Sequence, residues 1–585
     1  MIKQDKGIDY SAIDSAVGQN WYLTDPNLRA AMDKYIPADD RASAEETLVH
    51  WGELCGGPIA RRAESIDRNP PRLERYDEWG DDVSTIVHHP DAIATKRDVW
   101  EEGPQGLANQ GRKVPTVLGS AFTYLLSQSD TGMVCSTGMT GGVEALVDKF
   151  APPEVREKVL PHLQSPTFDG SWDGAMFMTE LRGGSDLASS EAVATQVGEG
   201  WVLNGAKWFC SNVDAGVIAT LARAEGADPG LRGLSLFIVP AIRADGSRNG
   251  VHIKRLKDKL GTKSVPTGEI DFVDAEAYPL SNPKSDSGDS EARGINRMMS
   301  MVNGSRLGVA TMGLGIMRRS FFESAIYAAH RTAFGKRLDE LPLMRETLVS
   351  MVAAIEGVSA IVFETASLAA GTGDEAGRRL YRILVPLSKL KGARGGLELA
   401  SQAVEVHGGN GYIENWPTAR QLRDAQCHTI WEGTENIICL DVLRSMAKDN
   451  AHDALLDRID SAIETANHPS LSAVKDAIAQ ARRDAQEIIA FLGRADNDVR
   501  QLHARRAGTL LSDLAQAALL LEGAQEELDS TGSARKAAIA RFFVKERLIA
   551  GQPLRGIDED RSTLDLFEPM TRYSPIDPSA LPAGV

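Results

Sequence analysis

The chain has 585 residues, 42% hydrophobic and 25% charged, with a formal net charge of −17. That composition is globular, with room for several domains. The acidic balance argues against a polyanion as the main partner, because nucleic-acid-binding domains carry a basic excess. The five cysteines, Cys55, Cys135, Cys210, Cys427 and Cys439, are scattered with no CxxC pair and no Cys/His spacing. No metal site is therefore expected, and free thiols in a reducing cytoplasm are.

The opening MIKQDKGIDYSAIDSAVGQN carries acids and no apolar run, so no secretory leader is expected there. No uninterrupted apolar stretch reaches the ~20 residues that span a bilayer, so membrane insertion is not expected. Residues 1–172 read as mostly helical, with NPPRLERYDEWGDD (Asn69–Asp82) as a loop. Residues 173–285 change character. AVATQV, WVLNG, LSLFIVPA and GEIDFVD are short, β-rich and separated by turns, which predicts a compact antiparallel β domain. A polar linker, Asn282–Gly294, precedes a return of helical periodicity over 286–446. Residues 447–585 are helical again and end in a frayed tail, SPIDPSALPAGV.

Four stretches carry chemistry. FMTELRGGSDLAS (Phe177–Ser189) brings two glycines, Thr179 and Ser185 together, which suits a flavin edge or a phosphate as well as a plain turn. In NGAKWFCSN (Asn204–Asn212), alternation on a strand sends one of Trp208 and Phe209 toward a planar ligand and the other into the core; core packing for both is the alternative. In HRTAFGKRL, Arg331 and Phe334 lie one turn apart if helical, and arginine suits a pyrophosphate. EVHGGNGYIENWPTARQLRDAQ (Glu405–Gln426) has glycines that let backbone approach a ligand, and it leads into IWEGTEN, Ile430–Asn436.

In this order the stretches resemble the acyl-CoA dehydrogenase flavoprotein family over roughly residues 110–446. TELRGGSD is similar to its first signature, EVHGGNGYIENWPTARQLRD to its second, and IWEGTEN to its catalytic segment. NPPRLERYD, HHP, KWFCS, RLKDKLG and IWEGTENIICLDVLR resemble the AidB branch, which carries an extra C-terminal helical domain. The implied fold is α+β, mostly α: an N-terminal helical domain, a central antiparallel β domain, a C-terminal helical bundle and the extra helical domain.

The resemblance implies FAD between the β domain and the bundle, with a neighbouring subunit completing the site in a homotetramer. Carried over residue by residue, Met176, Met178, Thr179, Gly184, Ser185, Phe209 and Ser211 hold the flavin. Arg331, Phe334, Glu405, Gly408 and Gly409 reach the adenosine diphosphate half, and Thr434 and Asn436 follow the catalytic residue. Glu405 stands where the family often has glutamine. Glu432 is the implied general base that takes the α proton of an acyl-CoA thioester, with Ile430 and Trp431 as an apolar wall. Burial raises a carboxylate pKa toward working pH. Ser185, Arg306 and Trp431 are the implied substrate contacts; helix-surface charge is the other reading of Arg306. Ser305 stands where some relatives place the base and cannot replace a carboxylate. An electron-transfer flavoprotein is an implied electron acceptor. The branch also implies an alternative, a flavin-bound, DNA-associated stress protein with little dehydrogenase turnover that binds duplex DNA through the extra domain; Arg444 matches an arginine that matters there, and a structural ion pair is its other reading. The interleaved acids of the C-terminal region argue against it, since DNA affinity rests on clustered Lys and Arg.

Overall fold

The computed structural model describes residues 7–243, 245–281, 294–369, 374–549 and 561–582. The polar linker therefore lies outside the described residues except for Gly294, which opens the helix Gly294–His330. Two compact units emerge, and they do not follow chain order. One comprises Ile59–Val114 and Ser129–Gly308; the other comprises Met1–Pro58, Pro115–Gln128 and Val309–Val585.

The first unit is built on a sheet of β3 (Gly174–Phe177), β4 (Val193–Val197), β5 (Gly200–Ser211), β6 (Val217–Ala224), β7 (Leu234–Pro240), β8 (Val251–Leu256) and β9 (Thr267–Pro279). The pairing runs β6–β4–β5–β9–β7 and returns from β7 to β6, so the sheet closes on itself, with β3 on β6 and β8 on β9. Most pairs are antiparallel as expected; β3–β6 and β4–β6 are parallel.

Strand alternation explains the closure. On β6, Ile218, Ala222 and Ala224 enter the interior cluster with Phe177, Leu203, Cys210, Phe237 and Ile270. The alternate residues Val217, Ala219 and Leu221, with Leu234, Leu236 and Ile238 of β7, face outward. Val143, Val147, Val155, Val159, Met298 and Met301 from three helices cover them. Gly174 makes one close approach possible, because a Cβ there would lie 2.9 Å from Val143 Cβ.

The stretch expected as a loop at Asn69–Asp82 contains a strand. β1 (Arg72–Tyr76) pairs antiparallel with β2 (Asp82–Val87), Leu73 opposite Ile86. Both side chains pack against the interior cluster. Charged residues on the exposed face hid the alternation, and only the turn follows the glycine: Asp77 Oδ1 accepts the N–H groups of Trp79 and Asp81, and Gly80 has φ +86°.

The second unit is helical throughout its core. Helices Glu375–His407, Pro417–His428 and Glu435–Asp449 pack with Pro342–Ala369 and with the later helices Ala451–Thr465, Asn497–Thr531 and Arg535–Arg547. Gly313 and Gly392 allow two long helices to cross closely, since a Cβ on Gly313 would sit 2.0 Å from the Gly392 carbonyl oxygen. The expected lack of a bilayer-length stretch holds only for uninterrupted runs. Pro342–Ala369 is long and apolar enough, and it is mostly buried as a core helix, with the acids that interrupt it, Glu356 and Glu364, paired to Arg535 and Arg458. The tail is not frayed as expected up to residue 582: Ile576 is buried and its carbonyl accepts the Ala534 N–H at 2.6 Å.

Candidate active site

In the sheet unit, β3 delivers the first signature. Met176 and Met178 are half-buried beside the outer cluster. Thr179 follows, and its carbonyl accepts the Trp208 N–H at 2.9 Å. A tight turn then exposes Gly184 and Ser185. Glu180 anchors this turn, and sequence reasoning missed it. Its buried carboxylate accepts from Lys207 Nζ at 2.7 Å and from the Glu191 N–H at 2.5 Å. Burial pulls the Lys207 pKa down, with the Glu180 carboxylate opposing it. Glu180 sits inside the quoted motif, but a pairing with a residue 27 positions away is not visible in one sequence.

Trp208 and Phe209 do not divide between ligand and core, nor do both enter the core. A register shift between Lys207 and Cys210 breaks the alternation, and both rings lie against the Lys257 ammonium, at 3.3 and 4.8 Å from their centroids. Phe209 remains 56% exposed. Ser211 Oγ is 3.0 Å from Thr267 Oγ1. Arg306 is buried, not surface charge as the alternative reading held, and its Nη1 reaches Asn303 Oδ1 at 3.5 Å.

In the helical unit, Arg331 and Phe334 are not one helical turn apart. The helix ends at His330, and Thr332–Ala333 pairs with Lys336–Arg337 as a two-residue hairpin. Phe334 and Gly335, at φ +52° and +76°, form its turn, the doubly left-handed geometry that short hairpins favour. Arg331 is exposed and Phe334 is 94% exposed. Glu405 is an exposed residue of the helix that Gly408 terminates at φ +59°. Gly408 and Gly409 are exposed, and a Cβ on either would meet nothing within 4 Å. Beneath them, buried His407 stacks on Tyr327 at 4.3 Å.

Glu432 lies in the short connection between helices Pro417–His428 and Glu435–Asp449. Its φ is +56° and that of Gly433 is +111°. The Glu432 and Trp431 side chains are half-buried, whereas Ile430, expected as part of the apolar wall, is 57% exposed. Trp431 meets His428 edge-on at 6.1 Å. His428 is fully buried, and neither ring nitrogen has a hydrogen-bond partner among the described residues. Burial, and then the nearby Lys389 ammonium, push its pKa down to about 3. Lys389 Nζ donates to the Gly433 carbonyl at 2.6 Å. Thr434 and Asn436 are exposed. Between them Glu435 is held by Arg394 and Arg505, each at 2.7 Å, and Arg505 also donates to Asn436 Oδ1. Arg505 belongs to a late helix that no motif singled out.

Residues 13–170 match the adaptive response protein AidB N-terminal domain, 175–275 the acyl-CoA dehydrogenase middle domain, and 292–447 the acyl-CoA dehydrogenase C-terminal domain. The chain belongs to the acyl-CoA dehydrogenase family. It is 32% identical to the putative acyl-CoA dehydrogenase AidB of Escherichia coli over 80% of this chain and 86% of that one. It is 30% identical to acyl-CoA dehydrogenase family member 11 of Caenorhabditis elegans over 80% of this chain and 78% of that one. The crystal structure of Caenorhabditis elegans ACDH-11 in complex with C11-CoA is 27% identical, with a TM-score of 0.85, covering 92% of each chain.

Acyl-CoA dehydrogenases are FAD-dependent oxidoreductases, and the residues present fit that cofactor. Each unit leaves an aromatic ring uncovered, Phe209 in one and Phe334 in the other, and open backbone, at Gly184 in one and at Gly408–Gly409 in the other. Hydroxyl donors at Thr179, Ser185 and Ser211 and the exposed guanidinium of Arg331 supply polar contacts of the kind a flavin ring and a diphosphate require.

Proposed function

We propose that this chain desaturates an acyl-CoA thioester between its α and β carbons, with Glu432 as the general base. The observation that carries this reading is the backbone of Glu432. A residue with a side chain at φ +56° costs on the order of 1–3 kcal/mol, and such outliers persist where the surroundings impose them, often at functional sites. Of the two carboxylates in the family's catalytic segment, Glu432 and Glu435, only Glu432 carries this backbone; Glu435 is helical and paired to Arg394 and Arg505.

The Glu432 carboxylate takes the α proton, and the electron pair of that C–H bond becomes the new double bond as hydride leaves the β carbon. A bound FAD would supply the hydride acceptor. Trp431, half-buried and next in the chain, gives the base an apolar neighbour. Met176, Met178, Thr179, Gly184, Ser185, Phe209 and Ser211 would hold the flavin end. Arg331, Phe334, Gly408 and Gly409 of a second subunit would hold the diphosphate end, and Thr434 and Asn436 would flank the base. Glu405 would contribute least there, because a carboxylate repels phosphate. Arg306 and Ser185 orient the thioester.

The proposal extends to a cytoplasmic homotetramer that passes electrons to an acceptor such as an electron-transfer flavoprotein. Phe334, Leu343 and Tyr412 support the oligomer, because each is an apolar side chain left almost bare by its own chain. The thioester class is supported by the relative solved with C11-CoA. The test is anaerobic mixing of the FAD-loaded protein with straight-chain acyl-CoA thioesters of increasing length. Bleaching of the flavin by at least one of them is expected, and no bleaching by any would refute the reading.

A further inference from the structure

The Lys389 side chain is among the largest that are fully buried, at 2% exposure, in the middle of the 33-residue helix Glu375–His407. A buried ammonium is costly unless hydrogen-bonded. One of its bonds is the 2.6 Å contact to the carbonyl of Gly433, the residue after Glu432. That turn carries two consecutive positive φ angles, +56° and +111°, a run that residues with side chains do not sustain unaided. A peptide group is planar and trans. Pinning the Gly433 carbonyl on Lys389 therefore also turns the Thr434 N–H to the opposite side, and only the two backbone dihedrals of Gly433 separate that fixed plane from the Glu432–Gly433 peptide. Among the described residues the buried imidazole of His428 beside it has no hydrogen-bond partner that could serve the same purpose.

We infer that Lys389 is a positioning residue for the base: its ammonium holds the Glu432–Gly433 turn so that the carboxylate meets the α carbon. This rests on the reading of Glu432 as the base. The anchor is a rigid helix, and the contact is to backbone, so it acts whatever the acyl group. A methionine would fill similar space without the charge, so volume alone does not account for a lysine here.

The test is a double-mutant cycle on the FAD-loaded protein, read as the rate of flavin reduction by a reactive acyl-CoA under single-turnover conditions. Lys389→Met should keep FAD and thioester affinity and lose about 10- to 100-fold in reduction rate, the scale of a small misplacement of a reacting group. In a Glu432→Gln background the same substitution should cost less than about twofold, because there is no base left to misplace. Lys389→Arg keeps a donor and should fall between wild type and Lys389→Met. A wild-type rate in Lys389→Met overturns the inference, as do losses that multiply in the double variant or a defect confined to thioester affinity. If Lys389→Met does not fold, Lys389→Gln, polar but too short for the 2.6 Å contact, takes its place, and a wild-type rate there overturns the inference equally. Normal reduction by Glu432→Gln alone would instead defeat the base reading first, and the role of Lys389 with it.

Discussion

The guanidinium of Arg535 grips the Glu356 carboxylate through two bonds of 2.8 and 2.9 Å, with both side chains almost fully buried. Glu356 lies on the core helix Pro342–Ala369 and Arg535 opens a late helix, so the C-terminal region is locked into the helical unit by charge as well as by packing. Arg535 also donates to the Met570 carbonyl at 3.1 Å and lies over the Tyr573 ring at 4.6 Å. Removing one partner strands the other in a dry core. Arg535→Met should therefore destabilise the protein by about 3–5 kcal/mol, and Arg535→Met/Glu356→Leu should recover most of that loss. Denaturant midpoints check both variants.

His428 makes the helical unit acid-sensitive. Its pKa lies near 3 in the folded chain, below its ordinary 6.5, because burial and then the Lys389 ammonium disfavour the charged ring. The unfolded chain thus binds a proton that the folded chain refuses between those values. The stabilising contribution is complete above pH 6.5 and declines as pH falls toward 3. From pH 7 to pH 5 this one group should lower stability by about 2 kcal/mol. A volume-conserving His428→Leu variant should lose that part of the slope in unfolding measured at the two pH values.

Arg331→Ala should leave the fold intact and weaken FAD retention by about 10-fold or more, the scale of a lost charge-assisted hydrogen bond. The side chain is exposed at the base of a hairpin and supports no core. Gel filtration and flavin content of the same preparation report the two effects separately.

Arg444 is an exposed side chain whose Nη1 lies 3.4 Å from Asp441, and Asp441 already receives two bonds from Arg382. With acids this close and a net charge of −17, duplex DNA should bind weakly, with affinity lost between about 50 and 200 mM salt. Arg444→Ala should not change it. Fluorescence anisotropy of a labelled duplex is the measurement.

Much of the fold was readable in the chain, because it rests on local period. The short, β-rich apolar run of LSLFIVPA announces a strand buried on both faces, and the spacing of apolar residues in Pro342–Ala369 announces a helix. The hairpin at Arg72–Val87 was hidden because its outward face is charged and only Leu73 and Ile86 mark the inner one. The turn at Phe334 carries no hairpin signal in the sequence, because Phe-Gly is a rare pair for two left-handed residues. At the site, Glu432 and its neighbours stood out as a motif. Their supports did not: Lys389, Glu180 and Arg505 act through partners 44, 27 and 69 positions away. Only folding brings such pairs together, and each of the three is an ordinary charge on a helix or in a turn until it does.

The central claim is that Glu432 takes the α proton. It is tested most directly by stopped-flow flavin reduction of Glu432→Gln against wild type, with a thioester that bleaches the wild-type flavin. The substitution keeps shape and removes the base. The variant should retain FAD and bind the thioester, while its reduction rate falls by about 10²- to 10⁴-fold. Reduction at close to the wild-type rate would show that another group removes the proton, and the account of this site would be wrong.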